Sequence, residues 1–142
     1  MTYESYIKGK LVDLIVGEAY HHGGSETMLA VAQVLANRVN AGWNGGDWLK
    51  VIMTAPDFRG TIVIYQEPPD PRNGSFRELL RRVDDVYHGI ADDSAVNNEQ
   101  GQKALYYAEL HNLNREWFRE NILSDLESHP KIATVGQMTF FA

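Results

Sequence analysis

The chain has 142 residues, no cysteine, 44% hydrophobic and 23% charged residues. This is the size and balance of one globular domain, 1–142, able to bury about 70% of its unfolded surface without a disulfide or metal staple. Disulfides, Cys-bound zinc, iron–sulfur clusters and thiol nucleophiles are excluded. Thirteen basic against nineteen acidic residues give a net charge of −6, so neither nucleic acid nor an anionic membrane surface is an expected partner.

No apolar run approaches the roughly 18 residues of a spanning helix, so no stable membrane insertion is expected. Residues 1–10 lack a basic head followed by an apolar stretch, and no secretion signal is expected there. The first element is a helix over about 4–19, in which Ile7, Leu11, Leu14 and Ile15 recur at helical spacing. One further turn along that stripe lies Glu18, a carboxylate on the face that should be buried. His21-His22-Gly23-Gly24 ends the helix.

Ser25 is the expected cap of a second helix, about 26–40, with Leu29, Ala32, Leu35, Ala36 and Val39 inward and Gly42 as its stop. A short loop, 43–46, precedes a brief helix capped by Asp47 and reaching Thr54, closed by Pro56. From Pro56 to Gly74 the chain is rich in proline and glycine, with a β-prone run over 61–65. Ser75 and Glu78 then suggest a capping box for a helix whose apolar face runs Phe76, Leu79, Leu80, Val83, Val86 and Ile90. Residues 92–101 read as a polar loop, and Ala104–Ala108 fits strand or helix equally. Asn114 opens a last helix to about Ser128, burying Trp117, Phe118, Ile122 and Leu126. The tail, 131–142, predicts a small sheet around Gly136. The fold class is therefore α+β, predominantly helical, with a small β element.

Among chemistry-bearing residues, Glu18 stands first. Burial disfavours a charged carboxylate, and a glutamic acid kept protonated near neutral pH can donate to a leaving oxygen. Against this stands a solvated residue at a fraying helix end. Glu26, Asp57, Glu67 and Glu109 are the possible second carboxylates of a two-acid glycosidase, each weighed against simple capping or solvation. His21 and His22 invite a metal, but HExxH, a second Glu-x-x-His and cysteine are all missing, so no metal or other cofactor is expected. His88, His111 and His129 lack ligand spacing. Neither a G-x-S-x-G elbow nor a phosphate-cradling G-x-x-x-x-G-K-[ST] occurs. Trp43, Trp48, Phe58, Tyr106 and Tyr107 lie in or beside loops, where aromatic faces can stack on sugars or serve the core.

Leu14-Ile15-Val16-Gly17-Glu18-Ala19, followed by Ala30-Val31-Ala32-Gln33-Val34-Leu35-Ala36-Asn37-Arg38-Val39, resembles the opening of the SleB-like cell wall hydrolase family, which includes spore-cortex lytic enzymes and phage endolysins. The likeness continues in order through Val51-Ile52, Asp57-Phe58, Ala104-Leu105-Tyr106-Tyr107, Trp117-Phe118, Val135-Gly136 and Thr139-Phe140-Phe141. It implies a lysozyme-like, lytic-transglycosylase-like fold acting on peptidoglycan, with Glu18 as the catalytic acid/base. Substrate contacts are then expected at Tyr106, Tyr107, Glu109, Phe58 and Glu26. The chain departs from the family where Glu109 replaces a usual Asn, Arg59 a Ser and Met138 a His.

The expected activity is cleavage of the MurNAc-β-1,4-GlcNAc bond, as a lytic transglycosylase giving a 1,6-anhydro product or as a muramidase. The implied context is a monomeric phage endolysin, made in the host cytoplasm and acting on the cell wall, with peptidoglycan glycan strands as its partner. Two other readings stay open: a non-catalytic wall-binding or virion structural protein on the same fold, and a metal-dependent amidase using the paired histidines.

Overall fold

The computed structural model describes residues 2–19, 23–55, 74–90, 96–97, 102–109 and 128–142. Among them are four α-helices and a three-stranded antiparallel sheet, so the mostly helical α+β expectation holds. The helices are α1 (Tyr3–Ala19), α2 (Ser25–Asn40), α3 (Trp48–Thr54) and α4 (Gly74–Tyr87). A 3₁₀ turn, Trp43–Gly46, separates α2 from α3. The strands are β1 (Tyr106–Glu109), β2 (Lys131–Val135) and β3 (Met138–Phe141).

Helix α2 is the axis of the core. Every residue from Thr27 to Arg38 is buried, and the helix touches α1, α3, α4, β1 and β2. An amphipathic helix with one inward face was the expectation; a helix apolar all round instead takes neighbours on all sides. Ser25 is not its cap. It lies inside the helix, the N-cap is Gly24 (φ 75°), and no side chain caps this end. The Met28 amide still reaches the Gly24 carbonyl at 3.0 Å, so the first turn closes on backbone alone.

Helix α1 buries Ile7, Leu11, Leu14 and Ile15, the stripe read from its spacing, and Val16 and Ala19 beside it. Burying each large aliphatic side chain stabilises by about 1.5–3 kcal/mol. Asp47 caps α3 as expected, accepting from the Lys50 amide at 3.1 Å. Helix α4 begins one residue early, at Gly74, and buries Leu79, Val83 and Val86. Glu78 holds Arg81 through both carboxylate oxygens.

Ile90 does not join the buried face of α4; it is 72% exposed. The helix ends earlier, because Gly89 (φ 70°) donates to the Val86 carbonyl and Ile90 to that of Asp85. Those two bonds form a Schellman closure, which turns the chain away before position 90.

The segment that fitted strand or helix is strand β1. The sheet order is β1–β3–β2, so β1 pairs with the chain's last strand, with Tyr106 opposite Phe141 and Glu109 opposite Met138. The hairpin expected around Gly136 is β2–β3, with Val135 opposite Met138 and a bulge between Lys131 and Ala133. Central strand β3 is buried throughout. The predicted run 61–65, the helix 114–128 with Trp117, Phe118, Ile122 and Leu126, and most of the 92–101 loop lie outside the described residues.

Candidate active site

Glu18 sits on the last turn of α1, beside the buried Leu14, Ile15 and Ala19, and is itself half-buried. It is neither a fully solvated side chain nor a sealed one.

The chain resumes at Gly23 and Gly24, both with positive φ. A Cβ on Gly23 would lie 2.8 Å from the Cα of Gly136, so the α1–α2 junction and the β2–β3 turn meet backbone to backbone. Thr27, fully buried, donates its hydroxyl to the Val135 carbonyl at 3.3 Å. Because Glu109 stands opposite Met138, the end of β1 lies at the same end of the sheet as that turn. The start of α2, the hairpin tip and the end of β1 therefore lie together.

A polar ladder inside α2 fixes the sheet against the helix. Gln33 donates to Asn37 at 3.0 Å, and Asn37 donates to the Ala104 carbonyl at 2.8 Å and to Asn97 Oδ1 at 3.0 Å. Arg38 Nε reaches the Leu105 carbonyl at 2.8 Å, with its guanidinium 4.7 Å from the Trp43 ring centre. The Asn-Arg pair of the family-like motif thus serves to seat the segment entering β1. Sequence reasoning missed this role. The available signal was Gln33 and Asn37, two polar groups four apart on an otherwise apolar helix.

The adjacent tyrosines part company. Tyr107 is 5% exposed, with its ring against Phe140 and beneath Arg38, so it is a core residue with no open face for a sugar. Tyr106 is half-buried, between Trp43 (5.6 Å between ring centres) and His129 (4.4 Å). Strand alternation explains the split, since successive side chains point to opposite faces. Glu26 is exposed and bound to Arg82 of α4 at 2.9 Å. Met138, at a position where the family often has His, is packed at 1% exposure. Phe58, Asp57, Glu67, His21, His22 and His111 lie outside the described residues, as does the side chain of Glu109.

The shifted titrations lie elsewhere. The Lys8–Asp84 contact (2.6 Å) raises the lysine and lowers the aspartate. Glu4, hydrogen-bonded to His88, raises the imidazole above its ordinary value. Both contacts join α1 to the α4 end of the fold well before Glu18, about 15 Å from it for Lys8 and about 21 Å for Glu4 at 1.5 Å per helical residue. Between these helices runs a groove of about 410 Å³ floored by Val12, Phe76, Leu80 and Val83. Among the described residues, no three His, Asp or Glu side chains converge to hold a metal.

Comparisons with family models, with curated proteins and with solved structures give no match to this chain.

Proposed function

We propose that the protein is a peptidoglycan glycosidase that cleaves the β-1,4 bond from N-acetylmuramic acid to N-acetylglucosamine. The observation that carries this reading is the position of Glu18, half-buried on the last turn of α1 beside the buried Leu14, Ile15 and Ala19. A carboxyl partly withdrawn from water but still reachable suits proton transfer to a leaving oxygen. The same residue is the one that the SleB-like motif assigns as acid/base. A helical domain with a small antiparallel sheet is compatible with the lysozyme-like fold that this motif implies.

Glu18 gives its proton to the glycosidic oxygen as the bond to C1 breaks. The carboxylate so formed takes the proton of the muramic C6 hydroxyl, whose oxygen closes on C1. The product is a 1,6-anhydro sugar, and Glu18 returns to its starting state. One carboxyl suffices because the nucleophile belongs to the substrate. The protein would act on the wall as an endolysin does.

Digestion of purified sacculi followed by mass spectrometry of the muropeptides tests the reading. Anhydro ends are expected. Reducing ends would make the enzyme a muramidase in which water replaces C6. Intact glycan in the presence of bound, folded protein would favour a non-catalytic wall-binding protein.

A further inference from the structure

The start of α2 makes a contact with the β2–β3 hairpin that neither helix packing nor strand pairing requires. A threonine hydroxyl within a helix ordinarily bonds the carbonyl one turn back. Thr27, in the first turn of α2, instead reaches the Val135 carbonyl, 108 positions away in sequence. Thr27 is fully buried, while the turn residues beyond its partner, Gly136 and Gln137, are exposed.

Gly23 completes the contact. Its φ of 151° is one that residues with a side chain rarely adopt, and a Cβ there would fall 2.0 Å from Thr27 Oγ1 as well as 2.8 Å from Gly136 Cα. No side chain fits between the two glycines. Gly136 (φ 59°) supplies the first turn position of a two-residue hairpin. The hairpin is short, and one so short does not hold its own place without outside anchors. Strand β3 is anchored along its length by β1. The tip is anchored by Thr27.

We infer that Thr27, whose hydroxyl lies against Gly23 and bonds the Val135 carbonyl, is a positioning residue that locks the tip of the β2–β3 hairpin to the start of α2, and that the hairpin so held forms a wall of the site at which Glu18 acts. The lock itself stands on the geometry above; its consequence for turnover rests on Glu18 acting as the acid. A displacement of about 1 Å in a group that frames a reacting centre can cost about 10²-fold in rate. Thr27 does not touch the sugar, so its loss should lower kcat and leave KM in place.

The test compares the full chain with Thr27→Val, which keeps the volume and loses the hydroxyl, and with Thr27→Ser, which keeps the hydroxyl. Amide hydrogen exchange is read across 133–139, and kcat and KM are read on purified sacculi. Thr27→Val should exchange about tenfold faster at the hairpin tip, with α4 unchanged, and lose about tenfold or more in kcat at constant KM. Thr27→Ser should restore both. Unchanged exchange in Thr27→Val overturns the lock; faster exchange with an undiminished kcat overturns the positioning role. If Glu18→Gln cuts sacculi as well as the native chain, or the native chain cuts none, the glycosidase reading and the positioning role fall together. The exchange data still decide whether Thr27 holds the hairpin.

Discussion

Asn37 makes three side-chain hydrogen bonds from the last turn of the buried helix α2, to Gln33, Asn97 and the carbonyl of Ala104. Asn37→Ala leaves those partners buried without replacement, and unpaired buried groups cost more than the average bond is worth. A loss of about 2–4 kcal/mol in urea-unfolding stability is expected. The two kinds of glycine also separate at this scale. Gly23→Ala forces overlap with Thr27 and Gly136, whereas Gly45, also at positive φ (73°), has open space where a Cβ would go. Gly45→Ala should therefore cost only the backbone penalty of about 1 kcal/mol, and Gly23→Ala clearly more, by the same unfolding measurement. The partial burial of Glu18 was legible from the sequence because an acidic residue interrupts an aliphatic stripe. The roles of Asn37 and Arg38 were not, because their partners at 97, 104 and 105 lie some 60 or more positions away in sequence.

Helix α1 is held to α4 by charge as well as by packing. Glu4 and the backbone carbonyl of Asp84 both bond the His88 ring, while Lys8 binds Asp84, with the Tyr87 ring alongside. His88 is raised in the fold above its free value of about 6.5, so its contribution is full below that pH and lost as pH rises through the folded value. Asp84 is lowered, chiefly by the Lys8 hydrogen bond; its contribution is present above about pH 3.9 and lost as pH falls through the folded value. The stability difference between the native chain and His88→Gln should be full below about pH 6.5 and shrink as the pH rises above it, followed by urea midpoints. A constant difference would show that His88 holds α1 by shape alone. Helices α1, α3 and α4 were readable as elements, because one-sided stripes and the Asp47 cap are local signals. The misreadings had non-local or competing causes. Ser25 lost the cap to Gly24 because the helix starts one residue earlier than its spacing suggested, on a glycine at positive φ. Ile90 continued the apolar spacing of α4, but Gly89 closed the helix first. Strand β1 was undecidable from Ala104–Ala108, since its partner β3 lies more than thirty residues further along the chain.

At the scale of the whole molecule, the net charge of −6 decides how the protein meets its proposed substrate. Peptidoglycan carries carboxylates, so an acidic protein gains no long-range attraction to it, and binding depends on short-range contacts. Raising salt from about 50 to about 200 mM should hold or increase the lytic rate on purified sacculi, because the repulsion is screened. A rate falling steeply with salt would point to a basic contact surface that dominates over the net charge. The proposed chemistry converges on one carboxyl group at the end of α1. Its most direct test is Glu18→Gln compared with the native chain on purified sacculi, with the folded state of each followed by circular dichroism. The account predicts anhydro-muropeptides from the native chain, a loss of about 10²–10⁴ in rate for the variant, and the same fold in both. Undiminished release of muropeptides by the folded variant would contradict it.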